Sequence, residues 1–365
     1  MNIQINKDEL LETLNSATKF TSSKLSSTPI LQGVYLKGEN NEMHMYSTNL
    51  NQYFHTIVSA KFDGSFSCVI DPKKVSEYVS LFTGETLELE IKEKQMVVKQ
   101  GKSQGSFPFV AGEDFPIAPR IDENAHVIPS EFFTSNLSLV LFSASEDETR
   151  PTLTGVNFLT KEDLVLVSTD GFRLSVMKMK KDLDLPSVIV PASFLEEIVR
   201  YIGKEKTVSF MYSPSEKMVA FSIGKSMFCT RIIEGDFPPF ERVIPAEKNT
   251  TVTIDRAELL RNVKLVSIFA RDYSNVIILD FKKEGLFIRP KMEGGEENVA
   301  FMEVSSDGEE QKIAFNYRFL LDFLNVVGGE KVVVELVRPN APAVFRTPNN
   351  SQFLHIIMPV RLQEE

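Results

Sequence analysis

The sequence holds no tryptophan, two cysteines and four histidines in 365 residues. Cys68 and Cys229 have no Cys or His nearby at ligand spacing, which excludes a disulfide framework and a structural zinc site and fits a reducing cytoplasm. The longest apolar runs, around 137–142 and 276–279, fall far short of the ~20 residues of a membrane helix, so no bilayer span is expected. The opening Met1-Asn2-Ile3-Gln4-Ile5-Asn6-Lys7-Asp8-Glu9 lacks the basic stretch and apolar core of a secretory leader, and none is expected. Basic excess is missing too: 40 Lys plus Arg against 50 Asp plus Glu leave a net charge of −10. Any contact with nucleic acid must therefore be local rather than a broad phosphate-adsorbing surface.

What the chain does contain is a repeat. Pro29-Ile30-Leu31-Gln32-Gly33-Val34 returns as Pro151-Thr152-Leu153-Thr154-Gly155-Val156, 122 residues on. Ser47-Thr48-Asn49 returns as Ser168-Thr169-Asp170 at 121, Gly101-Lys102-Ser103 as Gly224-Lys225-Ser226 at 123, and Asp114-Phe115-Pro116 as Asp236-Phe237-Pro238 at 122. Matches that keep their order and spacing mark duplicated modules. A more diverged third copy shows in Ile5-Asn6-Lys7-Asp8-Glu9-Leu10-Leu11, which reads like Ile254-Asp255-Arg256-Ala257-Glu258-Leu259-Leu260, 249 residues later. Three modules, 1–122, 123–246 and 247–365, fill the chain, with short polar linkers near 122–125 and 245–249.

Each module reads as two helices among strands. The first helix opens at Asn6 and at Asp255, with Glu9 and Glu258 three residues on, a pattern in which both side chains of a capping box satisfy orphan N–H groups. The middle copy opens near Ser130 without that Glu. The second helix begins after Pro72, Pro191 or Asn316 and stops near Gly84, Gly203 or Gly328, since Pro is preorganised for a first turn and Gly for a left-handed stop. Segments rich in β-branched or apolar residues, 87–91, 96–99, 208–212, 219–223, 332–337 and 353–358, read as strands. Two helices on one face of an antiparallel sheet make an α+β module, and most of the 28 Phe should be its core.

Catalytic signatures are missing. The Gly-Lys-Ser triplets lack the Gly a phosphate loop needs five residues earlier, where Met96 and Val219 stand, so both are hairpin turns. His44, His55, His126 and His355 show no nucleophile or metal partner and read as ordinary strand or loop residues. Asp170 before Gly171 is a candidate carboxylate, but its repeat counterpart is Asn49, which cannot act as a base; Asx residues hold turns, and that reading is preferred for both. No catalysis, cofactor or metal is expected.

Arg150-Pro151-Thr152-Leu153-Thr154-Gly155-Val156, Ser168-Thr169-Asp170-Gly171-Phe172-Arg173-Leu174, Asp236-Phe237-Pro238-Pro239-Phe240-Glu241-Arg242-Val243-Ile244-Pro245 and Met358-Pro359-Val360-Arg361-Leu362 together resemble the bacterial DNA polymerase III β subunits, the sliding clamps. The resemblance spans the whole chain. It implies a clamp fold in which three tandem modules form half of a closed ring, and a head-to-tail homodimer that encircles duplex DNA without reading sequence. It further implies a non-catalytic processivity factor, cytoplasmic and nucleoid-associated, tethering the replicative polymerase, the clamp loader and repair proteins through short linear motifs. Basic residues of the inner helices would touch phosphates transiently. The candidates are Lys19, Lys24, Lys73, Lys74, Arg150, Arg200, Lys204, Arg261, Lys264 and Arg271, each equally readable as a solvated surface charge. Ala192 and Ser193 stand where the family often carries basic residues.

The resemblance also implies a peptide pocket between the second and third modules. It would be built from Leu153, Thr169, Gly171, Phe172, Arg173, Leu174, Pro238, Arg242, Val243, Ile356, Ile357, Met358, Pro359, Val360, Arg361 and Leu362. Phe172 replaces a His common in the family, so a more apolar floor is expected. On residues alone, Ile356, Ile357 and Met358 read as a core strand. Two other classes stay open: an enzyme with a convergent site, and a repeat-built scaffold that binds linear motifs without encircling DNA.

Overall fold

A computed structural model describes residues 1–23, 28–121, 125–181, 185–292 and 297–362. Lys24 and residues 122–124 of the expected linker lie outside the described residues. The chain divides into two compact units, Met1–Ser130 with Phe194–Ile232, and Glu131–Ser193 with Ile233–Glu365. The central third of the sequence is thus shared out between them.

The first unit is built on a twelve-stranded antiparallel sheet. Its path runs from Ser103–Pro108 at one edge through Gln95–Gln100, Thr86–Ile91 and Asn2–Asn6 to Gln52–Lys61, then Ser226–Arg231, Met218–Ile223, Thr207–Ser213 and His126–Pro129. Val34–Glu39, Glu42–Thr48 and Phe66–Ile70 extend from Gln52–Lys61 as a side branch. The strand pair that unites early and late sequence is Gln52–Lys61 with Ser226–Arg231, in register Tyr53 to Cys229. Helices α1 (Lys7–Thr18) and α2 (Pro72–Ser80) pack against each other.

The second unit repeats the design. A nine-stranded sheet runs Val188–Pro191, Gly155–Thr160, Asp163–Thr169, Arg173–Lys180, Asn350–Ile357, Ala343–Thr347, Lys331–Leu336, Thr250–Asp255 and Ser305–Gly308. Here the uniting pair is Arg173–Lys180 with Asn350–Ile357, in register Leu174 to Ile356. A second sheet holds Ala300–Met302, Gly285–Pro290, Val276–Lys282 and Gln311–Asn316. Its helices are α3 (Ser138–Leu141), α5 (Arg256–Ala270) and α6 (Tyr317–Val326), the last two packed together; α4 (Ala192–Tyr201) starts in this unit and continues into the first.

Local sequence explains most helix starts. Asn6 Oδ1 accepts the N–H of Glu9 at 3.0 Å, Asp255 Oδ1 that of Glu258 at 2.8 Å, and Asn316 Oδ1 that of Arg318 at 3.0 Å. Asp71 rather than Pro72 caps α2, accepting from the N–H groups of Lys73 and Lys74. The capping box is only half realised. Glu9 accepts the N–H of Ser59 at 3.2 Å and Glu258 pairs with Arg261 at 3.2 Å, so both carboxylates are engaged by a tertiary and an i,i+3 partner instead. Ahead of α3, Phe132–Leu137 takes wide π turns, so the middle copy of the first helix departs from the other two. Leu10, Leu14 and Ala17 of α1 and Leu259, Val263 and Val266 of α5 occupy the expected apolar stripes.

Both Gly-Lys-Ser triplets turn hairpins: Gln100 pairs with Ser103 and Ile223 with Ser226, with Gly101 at φ 59° and Gly224 at φ 57°. Eleven Phe are fully buried core, yet Phe172, Phe269 and Phe301 are exposed. Cys68 and Cys229 are buried free thiols, pushed up to about 12 by burial. Among the described residues no helix is long and apolar enough to cross a membrane, and no group of three His, Cys, Asp or Glu could hold a metal.

Candidate functional site

In the second unit one row of cross-strand neighbours, Thr169, Leu174, Ile356 and Val344, lays an aliphatic floor. The turn that leads into it is held by side chains. Thr169 Oγ1 donates to the carbonyl of Arg173 at 2.6 Å and accepts the N–H of Gly171 at 3.0 Å. Asp170 Oδ1 accepts from the N–H groups of Phe172 at 2.8 Å and Arg173 at 2.9 Å. Asp170 therefore organises a turn, as an Asx residue does, and Gly171 takes φ 94° within it. Across the floor runs the segment after Asp236-Phe237-Pro238, with Phe237 and Phe240 packed on the Val167, Leu174 and Ile356 cluster.

These elements enclose a cavity of about 160 Å³. Leu153, Thr169, Gly171, Arg173, Leu174, Pro238, Val243, Ile356 and Met358 line it, all of them expected. Pro239 and Phe240 line it too; the signal was their place directly after the repeated Asp-Phe-Pro. A more open cavity of about 750 Å³ adjoins through the shared walls Val243 and Met358. Arg242 lines that second cavity, together with Pro245, Val337, Arg338 and Pro342, which sequence reasoning did not single out. Two adjoining cavities with an apolar ridge between them fit an extended chain carrying more than one side chain.

Arg173 is a fixed wall of the cleft. Its Nε bonds Asp170 at 2.9 Å and its Nη1 bonds Asp322, while the guanidinium lies 4.8 Å from the ring of Phe319 and 5.8 Å from that of Phe142. Arg150 reaches the same turn, bonding Asp147 at 2.9 Å and the carbonyl of Asp170 at 3.1 Å. Beneath the floor, His355 Nδ1 shares a hydrogen bond with Ser175 at 2.9 Å, and Ser175 with Ser143 at 2.7 Å. Burial, then the charge of Arg173, pushes His355 down to about 3, so the ring is neutral. His355 thus has a serine partner that the sequence did not show; both are fully buried, which gives no substrate a route to them. His44 and His55 also partner each other, Nδ1 to Nε2 at 3.0 Å.

Several expected cleft residues lie elsewhere. Phe172 is 59 % exposed and is not part of the floor, because the turn spends its side chain outward while its carbonyl accepts the N–H of Met358 at 2.8 Å. Ile357 is buried but lines neither cavity, since neighbouring residues of a strand face opposite sides and Ile356 takes the cleft side. Past Pro359, Val360 and Leu362 pack on Val276, Ile278 and Ala314 of the four-stranded sheet, and the carbonyl of Arg361 accepts from Lys291. Pro359 to Leu362 line neither cavity.

The basic candidates divide in two. Arg200 pairs with Glu196 and Glu197, Arg261 with Glu258, Arg271 with Asp272, Lys74 with Asp71 and Arg150 with Asp147. Lys19, Lys73, Lys204 and Lys264 are exposed with no ion-pair partner among the described residues. The end of α5 exposes an apolar stripe, Leu265, Ile268 and Phe269, continued by Tyr273 in the turn that follows, none of which was anticipated.

Family models match almost the whole chain: the N-terminal, central and C-terminal domains of the DNA polymerase III beta subunit match residues 1–119, 127–239 and 241–361. The chain is similar to the beta sliding clamp of Bacillus subtilis, 26% identical over 99% of this chain and 100% of the relative. It is 27% identical to the beta sliding clamp of Treponema pallidum, over 100% of both. The crystal structure of the DNA polymerase III beta subunit of Thermotoga maritima shares the fold, with a TM-score of 0.89 at 24% identity over 99% of this chain and 100% of that one.

Proposed function

This chain belongs to the DNA polymerase III beta subunit family, and from that membership we propose how it works. It is a DNA sliding clamp for DNA polymerase III. In the reading proposed here two copies associate head to tail into a closed ring of six modules, with boundaries at 1–122, 123–246 and 247–365. A ring around duplex DNA leaves only by opening, so tight phosphate binding is unnecessary and would slow sliding. This reconciles a net charge of −10 with a DNA partner. Lys19, Lys73, Lys204 and Lys264 are the proposed transient, sequence-independent contacts, because they alone of the described candidates are not already neutralised. The exposed stripe at the end of α5 and the turn after it is the proposed contact with the second copy, since large apolar side chains left in water cost free energy.

The observation that carries the partner-tethering role is the paired cavity sharing Val243 and Met358. It suits an extended peptide with apolar anchors from the polymerase, the clamp loader or repair proteins. The protein itself is non-catalytic in this reading, and its place is the cytoplasm, on the nucleoid.

The test is retention on a nicked circle after loading by a compatible clamp loader with ATP, followed by linearisation, with the solution mass measured in parallel. Retention on the circle, loss on linearisation and twice the chain mass are expected. Ile268→Asp with Phe269→Asp should reduce the mass to one chain, because the proposed contact would lose two apolar side chains that it buries, about 3–5 kcal/mol. A single-chain mass and no retention despite an active loader would overturn the ring and leave a scaffold that binds linear motifs without DNA.

A further inference from the structure

The repeated motifs that build the cleft of the second unit occur a second time in the first unit, where no role has been given to them. The correspondence extends to single hydrogen bonds. Thr48 Oγ1 donates to the carbonyl of Gln52 at 2.7 Å and accepts the N–H of Leu50 at 2.9 Å, as Thr169 does with Arg173 and Gly171. Asn49 Oδ1 accepts from Asn51 at 3.1 Å and Gln52 at 2.8 Å, as Asp170 does from Phe172 and Arg173. The N–H of Arg231 bonds the carbonyl of Asn51 at 2.9 Å, matching Met358 and Phe172 at 2.8 Å. The floor row Thr48, Tyr53, Cys229, Ala220 takes the register of Thr169, Leu174, Ile356, Val344. Over it passes the chain after Asp114-Phe115-Pro116, as the chain after Asp236-Phe237-Pro238 does in the other unit.

The enclosed space is larger, about 260 Å³ against about 160 Å³. Cys229 in place of Ile356 lowers the floor, and Ala118 in place of Phe240 opens the wall. The lining is richer in aromatic rings, with Tyr46, Tyr53, Phe54 and His55 facing Ile117, Ala118 and Ile121, where the other cavity has Phe240 alone. Tyr46 and His55, stacked at 4.4 Å, line it beside Tyr53, Phe54 and Met227, and His44 backs His55 at 5.3 Å. Such a surface favours a large planar or thioether side chain over a branched aliphatic one. Charge differs as well. Arg120 lines the cavity, and Arg231 stands at the position of Met358; both are exposed, and neither has an ion-pair partner among the described residues.

We propose that this cavity of the first unit is a second peptide cleft, for an extended acidic segment of a partner protein that inserts one bulky aromatic side chain above Cys229 and sets a carboxylate against Arg120. The proposal rests on the peptide role given to the cleft of the second unit, whose architecture it duplicates, but it assigns a different ligand. Where the aliphatic cleft takes compact apolar anchors, the aromatic cleft takes a wide anchor and reads charge at its mouth.

The experiment selects random hexapeptides from a displayed library on the full-length protein carrying Leu174→Ala and Met358→Ala, so that the aliphatic cleft is disabled. Selected peptides, synthesised with a fluorophore, are titrated by polarisation against wild type, the selection variant, Arg120→Glu and Ala118→Trp. Enrichment of Trp, Tyr or Phe beside Asp or Glu is expected. So are equal affinity for wild type and the selection variant, and at least tenfold weaker binding to the other two. Arg120 is exposed, so its substitution keeps the test valid if Ala118→Trp misfolds. A benzophenone-bearing copy should crosslink to 116–121 and not to 238–243. No enrichment at all, indifference to Arg120→Glu, or crosslinks at 238–243 would each overturn the proposal. So would full displacement by free indole at equal concentration, which marks a small-molecule site. Peptides selected on wild type that lose affinity with Leu174→Ala and Met358→Ala would leave the aliphatic cleft's role standing whatever happens here. If those peptides ignore both substitutions, that first reading fails by itself.

Discussion

In the second unit Thr169 and Asp170 hold a turn that leads to an aliphatic wall of Leu174 and Ile356; in the first unit Thr48 and Asn49 hold the same turn before Tyr53 and Cys229. The polar atoms are kept and the lining has changed. Backbone N–H groups at a tight turn must be paired, so the side chains that pair them tolerate little substitution. Residues facing an open cavity satisfy no such demand and are free to differ in size, aromaticity and charge. A duplicated fold can thus keep one architecture and present two chemistries.

Acid should separate the two units most strongly. His355 in the second unit has its folded pKa at about 3, below the ~6.5 of an unfolded histidine. The unfolded chain therefore binds the proton first, and the stability this group contributes is full above about pH 6.5 and lost as pH falls toward 3. At pH 4.5 the second unit should have lost roughly 3 kcal/mol, read by urea denaturation with a probe in each unit, and His355→Gln should flatten that dependence. His55 in the first unit, lowered to about 4 by burial and then by His44, has the same sign. Being partly solvated it should contribute less. Equal acid sensitivity of both units would break the distinction.

Thr48→Val should destabilise the first unit by about 2 kcal/mol, since Thr48 is fully buried and its loss strands the N–H of Leu50 and leaves the Gln52 carbonyl with only the N–H of Asn49. Thr169→Val, at a half-buried site, should cost about 1 kcal/mol. Thermal unfolding of both variants checks the pair, and no loss in either would mean that the shared hydrogen bonds do not hold the turns. Leu174→Ala with Met358→Ala should weaken peptide binding at the aliphatic cleft about tenfold, roughly 1.4 kcal/mol. Wild-type affinity there would remove the cleft from consideration. The smallest effect is expected from Lys73→Glu with Lys74→Glu: retention on circular DNA should fall a few-fold at low salt and by less as salt screens the phosphate contacts, while both clefts bind peptide as before. A change in peptide affinity would show that the helices and the clefts are coupled.

Much of this was legible in the residues. The helix starts at Asn6, Asp255 and Asn316, the hairpins at Gly101 and Gly224, and the Asx turn at Asp170 are short-range devices whose partners lie within about four positions. Nine lining residues of the cleft followed from the motif resemblance. Phe172 did not, because the direction of a turn side chain depends on the φ of the preceding Gly171. Nor did the placement of Val360 and Leu362, whose partners Val276, Ile278 and Ala314 belong to a different sheet. Glu9 and Glu258 were legible as caps and act as something else, since Ser59 and Arg261 lie within reach.

By itself, then, the sequence determined the repeat, the local turns and caps, and the absence of catalytic motifs. Those depend on neighbours along the chain, where geometry is nearly fixed by residue type. Only the tertiary structure decided that Gln52–Lys61 joins Ser226–Arg231 and Arg173–Lys180 joins Asn350–Ile357. Strand edges are chemically alike and can pair with any exposed edge. Which two meet is settled by the packing of side chains far apart in sequence, Tyr53 with Cys229 and Leu174 with Ile356, and it is at those two junctions that the cavities form.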